Sequence, residues 1–544
     1  MPHSANIAYE VALPPEIWLH IAQFLPRASH FRLYGLNRMF YELYMDEKYK
    51  AITFGAIDKG FLHDLDSLKN KNISERVRSF SIIPDFIEEQ FLDEQDQPSM
   101  FESGTSKVPL GLKLKKIAKN VLHKPRSSKK SGPEYHRSLI SYLRTSSETI
   151  RKLSLVIPNL TGIEHYTIHW TCATVLHASS YLGIAWATFG NLLSLELQVS
   201  LKRLADVLPI STIQLPNLST LTIRLVPPSI WAPDIEQHTT VNERSIAKLE
   251  IFINSLHTSL KEFNFHAFTK ASFDSIFFDS LQLDRLTTFR LDTCLNNYSI
   301  LPDTISTPIE FINHHSKTIR HLTLWSTTDY PICRFQISSL QAVSLVSFST
   351  SVQILFNSWD ESSIFLRRTA QSLLILSISQ ALYPEQFGKL LNAVAHTPEH
   401  SNGIMDLSIE ILDFSMDVIE ILSTKMFRLR RLNLHIHYVQ VEGTDFLKPG
   451  EFFPFKSAKG SRTDIYSFQG SSGEKKYEIK LQDIAVTRRS CCGTLYLWGL
   501  MEFIAQSIPS VHSFVGRGNM EIPDPSNVKP KTGGMDVGCS FGTS

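Results

Sequence analysis

A six-residue hydrophobic pattern recurs along most of the chain: an apolar residue, any two residues, a second apolar residue, one residue and a third apolar residue. Eleven copies occur, and the residue before the last apolar position is polar in all of them. This alternation predicts short strands with one buried face, and amphipathic stretches such as 246–256 and 387–394 predict helices between them. The copies lie at residues 77–82, 150–155, 192–197, 218–223, 260–265, 286–291, 319–324, 340–345, 373–378, 404–409 and 429–434.

Residues 11–55 follow a helical pattern instead. A proline pair suits the first turn of a helix, and a third proline ends it. Between them Ile17, Ile21 and Phe24 are four and three residues apart, so they share one helical face. Ser29 and Asn37 are suitable N-caps for two further short helices. Three short helices with apolar residues on more than one side form a weak domain, so we expect this unit to bind a partner.

The order of motifs in this segment resembles the F-box family. The resemblance covers under a tenth of the chain, and Asn37 stands where Ser or Cys is common. It implies that the segment binds the Skp adaptor and, through it, the cullin of an SCF ubiquitin ligase. The alternative is that these apolar residues are only the core of an N-terminal cap. The adaptor-binding residues that the resemblance implies are Leu13, Pro14, Ile17, Ile21, Phe24, Leu25, Pro26, Leu36 and Phe40.

The strand pattern in turn resembles the degenerate leucine-rich repeats that follow F-boxes, particularly in fungi. Such repeats place one short parallel strand in each unit. From Leu153 to Leu432 the steps average 31 residues but are irregular, and the usual Asn or Cys eight residues into the repeat survives only as Cys294. The predicted fold is therefore α/β, with an N-terminal three-helix F-box followed by an irregular leucine-rich-repeat solenoid. In such a solenoid, helices lie outside a curved parallel sheet.

This reading divides the chain into segments. The predicted segments are a flexible N-terminus (1–10), the F-box (11–55), a linker helix region (56–75), the repeat array (76–515) with insertions at 93–136 and 440–490, and a disordered tail (516–544). The first insertion carries a lysine-rich run at 113–130. That run is either a solvated loop or a nuclear import signal or phosphate-binding patch.

Composition and charge narrow the function classes. Hydrophobic residues make up 43% of the chain, which excludes wholesale disorder. With 54 basic and 53 acidic residues the net charge is +1, so no global field favours nucleic acid or an anionic membrane as a partner. The six cysteines form no C-x-x-C pair, which favours free thiols and a cytoplasmic or nuclear location. We expect no secretory signal, because no basic segment precedes an apolar one at the N-terminus.

One stretch, from Glu164 to Glu196, has no charged residue between its ends. A membrane span is one interpretation. Its several histidine, serine and threonine residues favour a buried helix that leads into a strand instead.

Candidate catalytic and metal-binding residues are few. His435 and His437 share one strand face and His314 is followed by His315, but no third ligand is evident, so solvated positions explain them better than a metal. Cys491-Cys492 lies near two arginines but has no catalytic surroundings. The P-loop, nucleophile-elbow, dinucleotide-binding and zinc-protease motifs are all missing from the sequence. We therefore expect no enzyme activity, cofactor or metal, with an unrecognised enzyme site as the remaining alternative.

The residues that alternate with the buried strand positions are predicted to line a concave substrate-binding face. Its mixed charge suits a protein substrate better than a nucleic acid, and Trp325 is the strongest single anchor. The alternative is that Trp325 packs under a neighbouring loop. The predicted function is substrate recognition in an SCF-type ligase; the alternative is a non-catalytic leucine-rich scaffold whose F-box acts outside a ligase. The predicted face comprises Glu196, Gln198, Arg224, His266, Arg290, Asp292, Trp325, Glu410 and His435.

Overall fold

The structure, a computed structural model, forms two compact units. Residues 1–218 and 223–255 belong to the first unit, and residues 219–222 and 256–544 belong to the second. The structure describes residues 14–26, 29, 32–56, 58–84, 146–170, 179–209, 215–226, 239–267, 278, 280–293, 306–326, 337–341, 344–395, 403–414, 416–439, 481–488, 510–511 and 513–517.

The first unit begins with helices and then alternates strands with helices. Strand β5 (Thr220–Val226) is divided between the two units. The other elements are α1 (Pro15–Phe24), α2 (Arg38–Tyr49), β1 (Ala51–Phe54), α3 (Lys59–Ser67), α4 (Lys71–Ser74), β2 (Ser79–Ile82), α5 (Ser146–Val156), β3 (His165–Trp170), α6 (Ser179–Thr188), β4 (Ser194–Ser200), α7 (Leu201–Val207) and α8 (Thr239–Asn254).

The second unit continues the alternation. Its strands are β6 (Glu262–Ala267), β7 (Thr288–Thr293), β8 (His321–Ser326), β9 (Ser347–Ser351), β10 (Ile375–Leu382), β11 (Asp406–Phe414), β12 (Arg431–Val439), β13 (Asp483–Arg488) and β14 (Ser513–Arg517). Its helices are α9 (Ser306–His314), α10 (Val352–Phe356), α11 (Trp359–Thr369), α12 (Pro384–Val394) and α13 (Met416–Lys425).

Strands pair in parallel with their neighbours in the chain, within β1–β4 and within β6–β14. The pairing keeps equivalent pattern positions side by side: Leu322 is opposite Phe348, which is opposite Leu376. Parallel neighbours require a crossover, and helices between the strands supply many of these connections. The predicted α/β class with parallel strands and intervening helices is confirmed.

The hydrophobic pattern occurs at all fourteen strands of the described residues, in five of them with one or two departures from its strict form. These five copies begin at Tyr49, Ile163, Leu345, Leu481 and Val511. These copies depart from the strict pattern because Tyr, Thr or Gly stands at an apolar position, or Ala or Val at the polar one. With these copies included, ten of the thirteen steps between pattern starts fall between 25 and 33 residues, so the repeat is more regular than the sequence search indicated.

Two of the eleven predicted strands are wrong. Residues 150–155 lie in helix α5, where Ile150 and Leu153 are buried and Leu155 is 57% exposed. The spacing misleads because Ile150 and Leu153, three residues apart, also share one face of a helix. Leu155, the sixth residue of the pattern, does not lie on that face. Residues 340–345 precede the strand, which starts at Ser347, so this prediction was placed five residues early.

The boundaries of the insertions also change. Strand β13 lies inside the predicted insertion 440–490 and pairs with both β12 and β14. The predicted insertion 93–136 and tail 516–544 lie outside the described residues, apart from the last residues of β14.

In the uncharged stretch between Glu164 and Glu196, the described residues include strand β3, helix α6 and the start of β4. Among the described helices, none combines the length and apolar character that a membrane crossing needs.

Aromatic residues contact one another within the largely aliphatic core of each unit. In the first unit Tyr166 stacks on Phe80 at 5.6 Å between ring centroids and contacts Trp186 and Phe189 edge-on. In the second unit Phe289 contacts Phe311 at 5.0 Å between centroids. The Phe80–Tyr166 contact joins neighbouring strands, whereas the contact of Phe289 with Phe311 joins a strand to helix α9.

Candidate interaction surfaces

Helix α1 presents an apolar face that the rest of the chain leaves exposed. Ile17 is 45% exposed, Ile21 37% and Phe24 75%. Leu36, in the turn before α2, is 65% exposed. The alternative that these side chains are the core of an N-terminal cap does not fit this exposure. We define Ile17, Ile21, Phe24 and Leu36 as the α1 apolar surface; grouped exposed apolar side chains of this kind mark interaction sites.

The remaining predicted adaptor-binding residues divide into three groups. Pro14 and Pro26 are exposed and Leu25 is half-buried. Leu13 lies outside the described residues. Phe40 is 1% exposed and contacts the Trp18 ring edge-on at 5.7 Å between centroids. The prediction that Phe40 contacts the adaptor is therefore corrected. Phe40 packs α2 against α1, because its aromatic side chain loses the most solvent-exposed apolar area when it faces α1.

Helix α2 is held by hydrogen bonds at its start and along its outer side. At its start the backbone N–H of Phe40 donates to Asn37 Oδ1 at 2.9 Å, so this asparagine serves as the N-cap. Along its outer side, Arg76 donates to the carboxylates of Glu42 and Asp46. The hydrogen bond from Arg76 lowers the pKa of the Glu42 carboxyl. The sequence pattern does not indicate Arg76, because its partners Asp46 and Glu42 lie 30 and 34 residues away.

At its end, α2 leads almost directly into the first strand. Tyr49 is the last residue of α2, and β1 begins two residues later at Ala51. Tyr49 is also the first apolar residue of the strand pattern and is buried. The sequence placed a linker region at 56–75 before the array; in the structure, the first strand of the array precedes that region.

In the first unit, the polar side chains opposite the core form an ion pair. Arg224 Nε donates to Glu196 Oε1 at 2.9 Å, and both side chains are partly exposed. Gln198, two residues further along β4, is half-buried. Because both side chains are partly exposed, their charges are accessible to a ligand, and a surface pair of this type contributes little to stability.

In the second unit, His266, Asp292 and Trp325 stand opposite one another on β6, β7 and β8. His266 is 2% exposed and Asp292 is 6% exposed. The Nδ1 atom of His266 lies 3.3 Å from Asp292 Oδ2, whereas Asp292 Oδ1 is buried without a hydrogen-bond partner. The sequence placed these residues on one face, but it did not indicate that two of them are buried.

Trp325 is half-buried, and two contacts with the sheet are described for its side chain. The guanidinium carbon of Arg290 lies 4.2 Å from the centroid of the Trp325 ring, within range of a cation–π interaction. The indole N–H of Trp325 donates to Ser349 Oγ at 3.2 Å. Arg290 and Trp325 are therefore held in one arrangement on adjacent strands.

Further along the second unit, Glu410 stands opposite His435 on β12. Glu410 is 3% exposed, and its Oε1 atom lies 2.6 Å from Nε2 of His437, two residues along. His435 is half-buried. The sequence predicts two solvated histidine side chains here, whereas His437 contacts the buried carboxylate of Glu410.

Strand β10 contains a bulge next to this pair. Gln380 adopts φ 73°, and the register with β11 shifts between Ile378 and Ala381. The Oε1 atom of Gln380 is buried without a hydrogen-bond partner. The sequence gives no signal for this bulge, since glutamine has no preference for positive φ.

His315 is a structural residue. Its Nε2 accepts from the backbone N–H of Leu283 at 3.0 Å, and its Nδ1 lies 2.9 Å from the carbonyl oxygen of Phe311. Both ring nitrogens are therefore engaged, and burial is the main cause that lowers the pKa of the imidazole. Within the described ranges, no group of three or more His, Cys, Asp or Glu side chains could hold a metal. The six cysteines and the lysine run 113–130 lie outside those ranges.

A comparison with protein-family models and with curated protein sequences finds no match to this chain.

Proposed function

We propose that this chain is a substrate-recognition subunit of an SCF-type cullin ubiquitin ligase. Its N-terminal helices form an F-box that binds the Skp adaptor, and its leucine-rich repeats bind a protein substrate. The observation that carries the proposal is the α1 apolar surface, which coincides with positions of the F-box motif. An exposed helical face of this kind fits a groove on a partner protein.

The repeat strands support the second half of the proposal. Their polar side chains lie opposite the core and combine arginine, tryptophan, histidine and carboxylates, which are groups that recognise peptides. Binding both adaptor and substrate raises the effective concentration of substrate lysines near the ubiquitin-loaded enzyme. The chain itself performs no chemistry in this scheme, and its location is cytoplasmic or nuclear.

The test is a double substitution on the α1 apolar surface, Ile17→Asp with Phe24→Asp, in the full chain. Placing two charges in a desolvated apolar contact should weaken binding to a purified Skp adaptor–cullin complex about 100-fold or more. Leu155→Asp is the matched control, because Leu155 is an exposed apolar residue on a helix of the same unit. Thermal unfolding should be nearly unchanged in both variants, since none of the three side chains is buried.

Three results are informative. Unchanged adaptor binding by the double variant would contradict the F-box assignment. If the wild-type chain binds the adaptor alone but not the adaptor–cullin complex, the result would favour the alternative of a leucine-rich scaffold whose F-box acts outside a ligase. Loss of binding by the Leu155→Asp control would show that the effect is not specific to the α1 apolar surface.

A further inference from the structure

Asp292 lies on the face opposite the core of the second unit, yet it is 6% exposed. Its Oδ2 atom faces His266, while its Oδ1 atom has no hydrogen-bond partner. Burying a carboxylate oxygen without a hydrogen-bond donor costs free energy of folding. Native proteins rarely contain such an oxygen unless a ligand, ion or water supplies the missing donor or charge. The unpartnered atom therefore indicates that a donor belongs at this position.

The neighbours of Asp292 favour a cationic donor. Trp325 stands opposite Asp292 on the adjacent strand, and its ring already holds the guanidinium of Arg290 at 4.2 Å. An indole beside a carboxylate is suited to a basic group, because the ring face attracts the cation and the carboxylate accepts its hydrogen bonds. A charge-assisted bond to a desolvated carboxylate is also stronger than a bond between neutral groups.

We propose that Asp292 and Trp325 bind a basic side chain, lysine or arginine, of the protein substrate. This inference rests on the proposed function and names the class of residue that the repeat face recognises. On binding, the substrate cation donates to Asp292 Oδ1 and lies beside the indole, where it competes with Arg290 for the ring. His266 holds the other carboxylate oxygen and so fixes the orientation of the carboxyl group.

The test uses the full chain and an array of degenerate peptides that differ at one central position. That position carries arginine, citrulline, lysine, acetyl-lysine or glutamate. We expect at least tenfold more binding of the arginine or lysine peptides than of their neutral counterparts. Citrulline and acetyl-lysine keep the size of the side chain and remove its charge, so the ratio isolates the cation.

Asp292→Asn should abolish this preference, because it removes the charge and keeps the shape. Asp360→Asn is the matched control, since Asp360 is an exposed residue on helix α11 of the same unit, and it should keep the preference. Competition of the wild-type chain with free arginine and free citrulline gives a second readout that does not depend on the folding of the Asp292 variant. Only arginine should displace the bound peptides.

The outcomes separate this inference from the proposed function. A wild-type chain that binds the adaptor but shows no preference for basic peptides would overturn the inference and leave the proposed function standing. A preference that survives in Asp292→Asn would also overturn it, and so would equal displacement by arginine and citrulline. A preference that depends on Asp292, in a chain that does not bind the adaptor, would support the inference and contradict the ligase assignment.

Discussion

At the scale of single residues, Thr350 occupies a position where the repeat pattern has an apolar residue. It is fully buried in β9, opposite Leu324 on β8 and Ile378 on β10, and its hydroxyl has no hydrogen-bond partner. Thr350→Val should raise the free energy of unfolding by about 1 kcal/mol, because it removes a buried unpaired hydroxyl and adds a methyl group that fits a strand. Denaturant unfolding measures the change.

Thr369→Val is the control for this prediction. Thr369 is equally buried, but its hydroxyl donates to the carbonyl oxygen of Phe365 at 3.0 Å. The control should gain nothing or lose stability, since it removes a hydrogen bond that is satisfied. Equal effects of the two substitutions would contradict the explanation by an unpaired hydroxyl.

His315 gives the chain a pH dependence at the residue scale. Its pKa is lowered in the folded state, mainly by burial, so the folded chain binds fewer protons than the unfolded chain. Its contribution to stability is complete above the unfolded pKa of about 6.5 and is lost as the pH falls below it, by at most about 1.4 kcal/mol per pH unit.

Urea unfolding at pH 7.5 and at pH 5.5 tests this dependence. The wild type should lose more stability on acidification than His315→Gln, which has no imidazole to protonate. His321→Gln is the control, because His321 is an exposed histidine on β8 of the same unit, and it should keep the wild-type difference. An equal loss in wild type and His315→Gln would contradict the role of His315.

At the scale of elements, the bulge in β10 forces Gln380 into the left-handed region at φ 73°. A side chain there costs about 1–2 kcal/mol, whereas glycine adopts this conformation freely. Gln380→Gly should therefore stabilise the second unit by about 0.5–1 kcal/mol after the entropy lost by glycine is included. Thermal unfolding followed by circular dichroism measures this change.

Gln380→Ala separates the backbone effect from that of the side chain. Both substitutions remove the buried amide oxygen, but only glycine relieves the strained φ. Alanine should therefore be less stable than glycine at this position. Equal stability of the two variants would show that the bulge stores no backbone strain.

Also at this scale, the N-terminal helices and the first strand are one continuous piece of structure. Helix α2 ends at Tyr49, β1 begins at Ala51, and Arg76 ties α2 to the segment before β2. The side chain of Tyr49 belongs to both the helix and the strand pattern. The adaptor-binding helices of the proposed function are thus joined to the first strands of the array by packing and ion pairs.

At the scale of the whole chain, the sequence by itself determined the repeating class of the fold. The apolar pattern places one buried strand in each step, and parallel pairing keeps its positions aligned, so Leu322, Phe348 and Leu376 occupy equivalent places. It also determined the apolar face of α1, because the spacing of Ile17, Ile21 and Phe24 is helical whatever surrounds them. These are consequences of local periodicity.

Tertiary structure decided what local periodicity cannot. Residues 150–155 fit the strand pattern, although only Ile150 and Leu153 share a helical face, and packing of α5 selected the helix. Phe40 and Phe24 are equally apolar in the sequence. In the structure Phe40 is buried in contact with Trp18, whereas Phe24 is exposed. The burial of Asp292 and the left-handed conformation of Gln380 depend on residues from neighbouring strands. Burial and backbone strain arise from contacts between repeats, which a one-dimensional pattern does not contain.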